Sequence, residues 1–211
     1  MSANKDLTNL VFDDENLQKP DPFSVFTQWL EEAKISEIND ANAMALASVD
    51  KDGLPDCRIM LLNGMEKNGF VFYTNTHSAK GEEIALNPKA CLLFHWKSAR
   101  RQVRIRGELK PVPAAVSDAY FATRPRGSQI GAHASKQSSS LQTRQELAAR
   151  VEKLTAEFAG SDVPRPEHWM GFVLEPVQIE FWQNGEFRLH DRMVYTRQNP
   201  NYPWQTRRLN P

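Results

Sequence analysis

Cysteine is scarce in this sequence, which has only Cys57 and Cys91 among its 211 residues. No CxxC or Cys/His spacing typical of a metal site is present, and so few cysteines in a chain of this length do not indicate a disulfide framework. Both cysteines lie in apolar, strand-like runs, which predicts that they are buried free thiols.

Net charge and long apolar runs are lacking as well. The 26 Lys and Arg residues balance 26 Asp and Glu, so bulk charge gives no reason to expect a nucleic-acid or membrane-surface partner. No apolar run approaches the length of a transmembrane helix, and the polar N-terminus contains no apolar core of a secretory signal. We therefore expect a cytoplasmic protein with no nucleic-acid partner and no membrane partner.

Several motifs of catalysis are also missing. The chain has no glycine-rich dinucleotide fingerprint, no P-loop and no nucleophile elbow. Its histidines show no metal-binding spacing, so we expect no metal site. The function must therefore be argued from clusters of side chains rather than from one motif.

What the sequence does contain is a succession of short strand patterns with helices between them. Residues 1–19 lack periodicity and are predicted to be a flexible arm, so that residues 20–211 form a single domain. Apolar spacing predicts helices over 23–33, 113–123 and 141–158, and Ser78 is a good N-cap for another helix that ends near residue 85. Alternation and β-branched or aromatic content predict the strands 43–49, 57–62, 70–74, 90–96, 102–108, 170–174, 177–182 and 188–196.

Turn signals separate most of these strands. Asp50-Lys51-Asp52-Gly53 and Asn184-Gly185 are typical of hairpin turns, and two glycines mark a turn across 63–69. Strands linked by hairpins, with helices inserted at intervals, indicate a mainly β protein with helices (α+β), built as an antiparallel barrel or sheet. A doubly wound parallel sheet would instead require strict alternation of strands and helices.

The run Arg188-Leu189-His190-Asp191-Arg192 is the first candidate site. Alternate residues of a strand share a face, so Arg188, His190 and Arg192 are predicted to project together. Two guanidiniums beside an imidazole suit anion binding or acid–base chemistry. A solvated edge strand with scattered charge is the alternative explanation of the same pattern.

The predicted helix after Ser78 is a second candidate. Lys80 lies in its first turn, where free backbone N–H groups and the positive end of the helix dipole favour a phosphate. A routine N-cap with a solvated lysine is the commoner explanation of such a pattern.

A third candidate follows in the next predicted helix. Tyr120 and Arg124 are four residues apart and share a helix face, and Ser128 follows in a predicted loop. A phenol, a guanidinium and a hydroxyl together suit another phosphate. The alternative is an arginine that serves the dipole at the helix C-terminus.

Three weaker signals lie elsewhere in the chain. Arg58 is a charge within an apolar strand, and it requires an anionic partner if it faces inward, but none if it faces solvent. Trp182 suits either a flat cofactor ring or core packing. The polar run 135–140 suits a linker or, more simply, the cap of the following helix.

Taken in chain order, these segments resemble the pyridoxine/pyridoxamine 5′-phosphate oxidase family. The similarity extends from about Pro20 to Pro211 and is carried by many ordered matches. The matching stretches are 58–62 (RIMLL), 70–75 (FVFYTN), 101–103 (RQV), 124–132 (RPRGSQIGA), 135–139 (SKQSS), 179–183 (IEFWQ), 188–192 (RLHDR) and 208–211 (RLNP).

The resemblance implies an FMN-binding split barrel and a homodimer with two FMN sites at the subunit interface. The positions implied to contact FMN are Arg58, Ile59, Met60, Leu61, Leu62, Asn63, Tyr73, Thr74, Ala79, Lys80 and Gln102, together with Gln137, Ser138, Trp182 and Arg192 reaching in from the partner subunit. The positions implied to bind substrate are Tyr120, Arg124 and Ser128 at its phosphate, Asn63 beside them, and the catalytic pair Arg188 and His190 over its ring.

The resemblance also implies the chemistry. A hydride passes from the 4′ carbon of pyridoxine or pyridoxamine 5′-phosphate to flavin N5, which gives pyridoxal 5′-phosphate directly or through an imine that water hydrolyses. Molecular oxygen then reoxidises the flavin and yields hydrogen peroxide. In such an enzyme the protein supplies orientation and charge complementarity, and the flavin supplies the redox chemistry.

The sequence departs from the family pattern in three places. Asn63 stands where the family has a lysine that contacts cofactor and substrate phosphate, Ala79 replaces a phosphate-binding arginine, and the family's basic N-terminal arm is not recognisable. Losing one charge-assisted contact costs about 1.5–3 kcal/mol, or roughly ten- to a hundredfold in affinity. Two rivals therefore stay open: a related FMN oxidase with another ring substrate, as in phenazine biosynthesis, and a non-catalytic flavin or pyridoxal-phosphate carrier.

Overall fold

The computed structural model describes residues 21–66 and 69–211, and the predicted flexible arm at 1–19 lies outside these residues. Within them, nine strands and five helices are present. The strands are β1 Ala43–Val49, β2 Pro55–Leu61, β3 Gly64–Glu66, β4 Gly69–Asn75, β5 Lys89–Trp96, β6 Arg101–Pro111, β7 Trp169–Gln183, β8 Asp191–Thr196 and β9 Gln205–Leu209. The helices are α1 Pro22–Ser36, α2 Ala79–Leu86, α3 Ala114–Thr123, α4 Arg126–Ala134 and α5 Arg144–Glu157.

All described strands belong to one antiparallel sheet, as the hairpin pattern predicts. The strand order is β2-β1-β5-β6-β7-β4-β3, and β8 and β9 continue from β7. Strand β7 pairs with β4 through residues 169–174 and with β8 through residues 178–183, while β6 occupies its other edge. Two branches of the sheet therefore leave one edge of β7, which gives the curled half-barrel its split.

The core lies on the inner face of this sheet and is rich in aromatic side chains. Helix α1 starts with Pro22 after the N-cap Asp21, whose carboxylate accepts a hydrogen bond from the backbone N–H of Ser24. Phe26 of α1 packs edge-on against Phe70 and Phe94, with ring centroids 4.9 and 5.0 Å apart. Burying each such ring contributes about 1.5–3 kcal/mol, which fixes α1 across the inner face.

The outer face of the sheet is much less covered. Side chains of β2 that point to it include Ile59 and Leu61, which are 69% and 45% exposed. Cys57 lies on the same face and is exposed, while Cys91 is half-buried. The prediction that both thiols are buried is therefore wrong for Cys57, because apolar neighbours in sequence do not show which face of an edge strand is covered.

The two strands predicted at 170–174 and 177–182 form one continuous strand, β7. Pro176 does not interrupt it because the register of β6 shifts at Arg106/Gly107, opposite the proline. A Cβ at Gly107 would lie 2.1 Å from the backbone oxygen of Glu175. Only glycine permits this close approach of the two backbones, and the bulge absorbs the proline.

Other element predictions need correction. The run 135–140 does not cap the following helix, because α5 begins at Arg144 and its cap is Thr143. Helix α5 has no buried residue, although its apolar spacing predicts a buried side. Strands β3 and β9 were not predicted from sequence, because the first lies in a three-residue stretch between glycines and the second carries two arginines.

Candidate functional site

The N-terminus of α2 forms one group of candidate residues. The Ser78 hydroxyl caps the helix and donates to the backbone oxygen of Asn75 at 2.6 Å. Lys80 in the first turn is 8% exposed, and its Nζ lies 3.1 Å from Gln137 Oε1 and 3.4 Å from Ser78 Oγ. Burial lowers the pKa of Lys80, and the nearby Arg58 charge adds to the effect. An ammonium that hydrogen-bonds neutral oxygens at a helix N-terminus is suited to a phosphate.

Arg58 lies beside this group, and its partners in the structure are protein carboxylates. Its Nη2 donates to Glu83 at 2.9 Å and to Asp56 at 2.5 Å, and its Nη1 donates to Ser48 Oγ at 2.5 Å. Glu83 is itself buried and also accepts from the Ser48 hydroxyl. Arg58 thus fastens α2 to β1 and β2, and the anionic partner that an inward-facing arginine requires is already present in the chain.

A second group lies where α3 meets β4 and β7. The rings of Tyr73 and Tyr120 stack with centroids 4.1 Å apart, and Trp169 stacks on Tyr73 at 5.0 Å. The side-chain amide of Asn63 donates to the hydroxyl of Tyr120. Burial is the main cause that raises the pKa of Tyr73. These contacts hold the phenol of Tyr120 in a fixed position next to Asn63.

Arg124 completes the second group. Its guanidinium carbon lies 4.7 Å above the Trp169 ring and 5.5 Å from that of Phe121. Its Nη1 is buried and has no hydrogen-bond partner among the described residues. Burial lowers the pKa of Arg124. A buried guanidinium nitrogen without an acceptor is costly, and an anionic ligand would remove that cost.

Ser128 is in a helix, not in the predicted loop. Pro125 is the N-cap of α4, so Ser128 falls in the first helical turn, where its N–H donates to the Pro125 oxygen at 2.8 Å. Pro125 and Gly127 predict a turn here, but a proline also starts a helix well. The corrected position still suits a phosphate because helix N-termini attract anions. A cleft of about 580 Å³ opens beside Asn63 and Tyr120.

A third group lies on the outer face of the sheet near the β7–β8 loop. The rings of Trp182 and His190 are 4.6 Å apart, and the register places Trp182 between Gln102 and Arg192. Arg192 donates through Nε and Nη2 to Glu180 Oε1, at 3.0 and 2.8 Å. Gln102, Trp182 and Arg192 form one row across β6, β7 and β8, and His190 lies in the loop just before β8.

The predicted strand over 188–196 is wrong at its start, because β8 begins at Asp191. Arg188 lies in a short 3-10 turn, Glu186–Arg188, in which Phe187 and Arg188 have φ of 54° and 65°. Left-handed backbone breaks the alternation on which the shared-face argument rests. Arg188 is exposed at this turn, so Arg188, His190 and Arg192 do not project from one strand face.

The remaining predicted positions line or flank these groups. Gln137 contacts Lys80 of its own chain, and Ser138 follows it with φ of 70°. Ala79 is exposed beside Lys80 and offers no side-chain donor in place of an arginine. Met60, Leu62 and Thr74 point inward, opposite to the exposed Ile59 and Leu61. Sequence reasoning missed Glu83 and Glu180, although Glu83 is one helix turn from Lys80 and Glu180 alternates with Trp182.

Two general features of the described residues bear on function. No cluster of three or more His, Cys, Asp or Glu side chains in 21–66 and 69–211 is arranged to hold a metal ion. None of the helices in this part of the chain is both long and apolar enough to cross a membrane.

Family models match most of the chain. One described as pyridoxamine 5′-phosphate oxidase matches residues 30–157, and one described as the pyridoxine 5′-phosphate oxidase C-terminal dimerisation region matches residues 169–211. The pyridoxine/pyridoxamine 5′-phosphate oxidase of Azorhizobium caulinodans is 59% identical over 191 residues, which are 90% of each chain. That of Agrobacterium fabrum is 52% identical over 205 residues, covering 97% of this chain and 98% of the relative.

Solved structures show the same fold. PhzG from Burkholderia lata, in complex with tetrahydrophenazine-1-carboxylic acid, superposes with a TM-score of 0.88 at 29% identity and covers 96% of this chain and 98% of its own. A pyridoxamine 5′-phosphate oxidase-related, FMN-binding protein from Nostoc punctiforme gives a TM-score of 0.74 at 19% identity, covering 92% and 100%. The sheet is therefore a split barrel, and the chain belongs to the pyridoxine/pyridoxamine 5′-phosphate oxidase family of oxidoreductases.

Proposed function

We propose that this protein oxidises pyridoxine 5′-phosphate or pyridoxamine 5′-phosphate to pyridoxal 5′-phosphate as an FMN-dependent homodimer. Oxygen is the electron acceptor and hydrogen peroxide the second product. When bound, FMN supplies the ring that accepts a hydride and is reoxidised by oxygen. The observation that carries the proposal is the buried Nη1 of Arg124, which lies near Tyr120 and has no hydrogen-bond partner in the part of the chain that the structure describes.

Arg124 is suited to bind the phosphate of the substrate. Its guanidinium is held by the rings of Trp169 and Phe121, so it loses little freedom when it binds an anion. Tyr120 adds a hydroxyl and the first turn of α4 adds Ser128, which together suit three phosphate oxygens. This donor set favours a phosphorylated vitamer over the free vitamin.

Lys80 is suited to bind a second phosphate, which we assign to FMN. Its ammonium is buried at the start of α2 and donates to Ser78 Oγ and Gln137 Oε1, and to no carboxylate of the described residues. The amide of Gln137 beside it can turn to donate to a phosphate oxygen. The donor chemistry of this group therefore fits FMN even though Ala79 supplies no charge.

The third group supports a ring site shared between two subunits. Gln102, Trp182 and Arg192 form a row on the outer face, and Trp182 and Arg192 lie within the segment that matches a family dimerisation region. In a homodimer Trp182 and Arg192 would lie against the partner's FMN, and Gln102 would contact the FMN of its own subunit. Arg188 and His190, at the end of the same hairpin, are then the residues nearest the substrate ring, which they orient for hydride transfer.

The decisive experiment is anaerobic reduction of the FMN-loaded protein by each vitamer phosphate. We expect the visible flavin absorbance to bleach with either substrate, and to return with formation of peroxide when oxygen is admitted. A protein that takes up no FMN would refute the flavin assignment. Bound FMN that neither vitamer reduces would leave a related oxidase or a carrier.

The phosphate-binding role of Arg124 is tested by the variant Arg124→Gln, with Arg126→Gln as the matched control. Loss of the Arg124 charge should raise the half-saturating substrate concentration roughly ten- to a hundredfold while FMN content stays the same. Arg126 is exposed two residues further along, at the start of α4, and donates to the backbone oxygens of Phe158 and Ser161, so its change should leave substrate affinity unaltered. Equal effects of both variants would contradict the phosphate role.

A related FMN oxidase with a phenazine-type substrate is the second candidate. Two observations favour it: Asn63 replaces the family lysine, and PhzG, solved with tetrahydrophenazine-1-carboxylic acid, matches 96% of this chain. Because Arg124 and Lys80 give two separate cationic groups, we rank the phosphorylated vitamer first. Bleaching by a reduced phenazine carboxylate but by neither vitamer phosphate would reverse that order.

A further inference from the structure

The β7–β8 loop, residues 184–190, has a specific backbone conformation that its own contacts stabilise. Phe187 and Arg188 both have left-handed backbone, with φ of 54° and 65°. Such a conformation is strained for side chains of this size and persists only where neighbouring contacts impose it. The loop delivers His190 to the start of β8, so the position of that imidazole depends on how the loop closes.

Gly185 closes the loop onto His190. Its backbone N–H donates to His190 Nδ1 at 3.2 Å. A ring nitrogen that accepts a hydrogen bond carries no proton, so the neutral imidazole has its proton on Nε2. The loop itself therefore determines which nitrogen of His190 can donate to a ligand.

Only glycine fits at this position. A Cβ on Gly185 would lie 1.9 Å from the backbone oxygen of Leu189 and 3.3 Å from the backbone nitrogen of His190. Any side chain would push the loop strands apart and lengthen the bond to Nδ1. On its other side the imidazole packs on Trp182, with centroids 4.6 Å apart and planes at 42°. The imidazole thus has Trp182 as a tilted neighbour, and its Nδ1 accepts the Gly185 N–H.

We propose that Gly185 is a positioning residue that fixes His190 as the Nε2–H tautomer, so that His190 serves as a hydrogen-bond donor to an oxygen on the substrate ring. This inference deepens the proposed function, on which its catalytic part rests. A general base at the same place would need a free acceptor nitrogen facing the substrate. In this geometry the acceptor nitrogen is occupied by Gly185 and faces the loop.

The first test measures the tautomer directly in the FMN-loaded protein. Imidazole nitrogen-15 NMR distinguishes protonated from bare Nδ1 and Nε2, and the signals of the five histidines are assigned to His190 by their loss in His190→Gln. The spectrum is recorded above the ordinary histidine pKa of about 6.5. A bare Nδ1 and a protonated Nε2 support the proposal; a protonated Nδ1 overturns it. No substrate is needed, so this result is independent of whether the protein oxidises a vitamer.

The second test compares Gly185→Ala with Gly131→Ala, where the added Cβ meets nothing within 4 Å. Gly185→Ala should shift His190 toward the other tautomer and lower kcat at least about tenfold, an effect the size of one lost hydrogen bond. FMN content and KM should change far less. An unchanged tautomer and kcat in a folded Gly185→Ala protein would contradict the role. If this variant does not fold, the spectrum of the unaltered protein still decides.

The donor role is tested by the pair His190→Gln and His190→Leu. The amide nitrogen of Gln lies near the place of Nε2 and keeps a donor, whereas Leu keeps only the volume. We expect the Gln variant to retain kcat within about tenfold and the Leu variant to lose roughly a hundredfold or more. Equal, severe losses in both variants would indicate a base and would overturn the donor assignment.

Discussion

At the residue scale, Lys80 and Arg124 share a physical situation. Each is a cation partly withdrawn from water, and burial is the largest cause of the lowered pKa of both. Within residues 21–66 and 69–211, neither donates to a carboxylate, in contrast to Arg58, which donates to two. A buried cation that lacks an anion within the chain gains most from an anionic ligand, so these two positions are where the chain favours phosphate.

The lowered pKa of Lys80 predicts a pH dependence of FMN affinity. Only the charged ammonium attracts a phosphate, so affinity should fall as pH rises through that lowered pKa. The unliganded fold behaves oppositely, because a lysine pKa below its unfolded value makes stability rise with pH in the same window. FMN fluorescence titrations should show a rising Kd on the alkaline side, against a flat Kd for Lys80→Arg. A flat Kd in the unaltered protein would contradict this prediction.

A substitution at Asn63 is expected to change the affinity for the phosphorylated substrate. Asn63→Lys would restore a charge next to Tyr120 at the cost of one neutral hydrogen bond, so we expect KM for pyridoxine 5′-phosphate to fall about tenfold. Asn63→Met, which has similar length but no charge, should not improve KM. Steady-state kinetics of the two variants check this. An unchanged KM in Asn63→Lys would show that another group fills the role, and Lys34 lines the same cleft.

At the element scale, regular patterns were predicted well and irregular backbone was not. The alternation in β6 correctly places Val103 and Ile105 inward, and the Ser78 cap starts α2 as expected. The β7–β8 loop could not be predicted, because two consecutive left-handed residues without glycine have no local sequence signal. Pro125 was also ambiguous, since proline starts helices and turns alike.

The same distinction applies to the candidate site. Family resemblance named the candidate residues, and the structure groups Lys80 with Gln137 and Asn63 with Tyr120, while the roles of these residues stay predictions. The partners of those residues were not predicted, because Glu83 and Ser48 approach Arg58 from α2 and β1. Such contacts between distant segments depend on the register of the sheet, which a single sequence does not specify.

Disruption of the bulge between β6 and β7 should cost stability. Gly107→Ala places a Cβ 2.1 Å from the Glu175 backbone oxygen, so the two strands must separate. We expect the free energy of unfolding to fall by about 1–3 kcal/mol, the usual cost of overpacking. Chemical denaturation at fixed protein concentration measures the change. Gly127→Ala, which meets nothing within 4 Å, should be neutral or stabilising; equal losses in both would contradict the bulge argument.

At the scale of the whole molecule, the two faces of the sheet differ in how far they are covered by other parts of the chain. The inner face is closed by α1 and the aromatic core, whereas the outer face keeps apolar side chains such as Ile59 and Leu61 in contact with solvent in a single chain. The Gln102, Trp182 and Arg192 row lies on the same outer face. A dimer formed through this face would cover the apolar side chains and join the two halves of a site in one step.

This arrangement predicts that dimerisation and FMN binding are lost together. Ile59→Glu places a charge on the outer face and should yield a monomer in analytical ultracentrifugation that retains little FMN. Ile35→Glu is the matched control, because Ile35 is 89% exposed on α1, across the sheet from that face. It should stay dimeric and yellow. A dimeric Ile59→Glu protein with full FMN content would contradict the shared site.

The ion pairs of Arg58 have one more consequence. They join β1, β2 and α2 through protein groups alone, with Glu83 and Ser48 at the centre. The N-terminal end of α2, where we propose that the FMN phosphate binds, is therefore held in place by protein groups, so little conformational entropy would be lost on binding. If α2 anchors FMN as proposed, cofactor exchange needs no unfolding of α2, and changes in the β7–β8 loop would alter substrate preference without weakening that anchor.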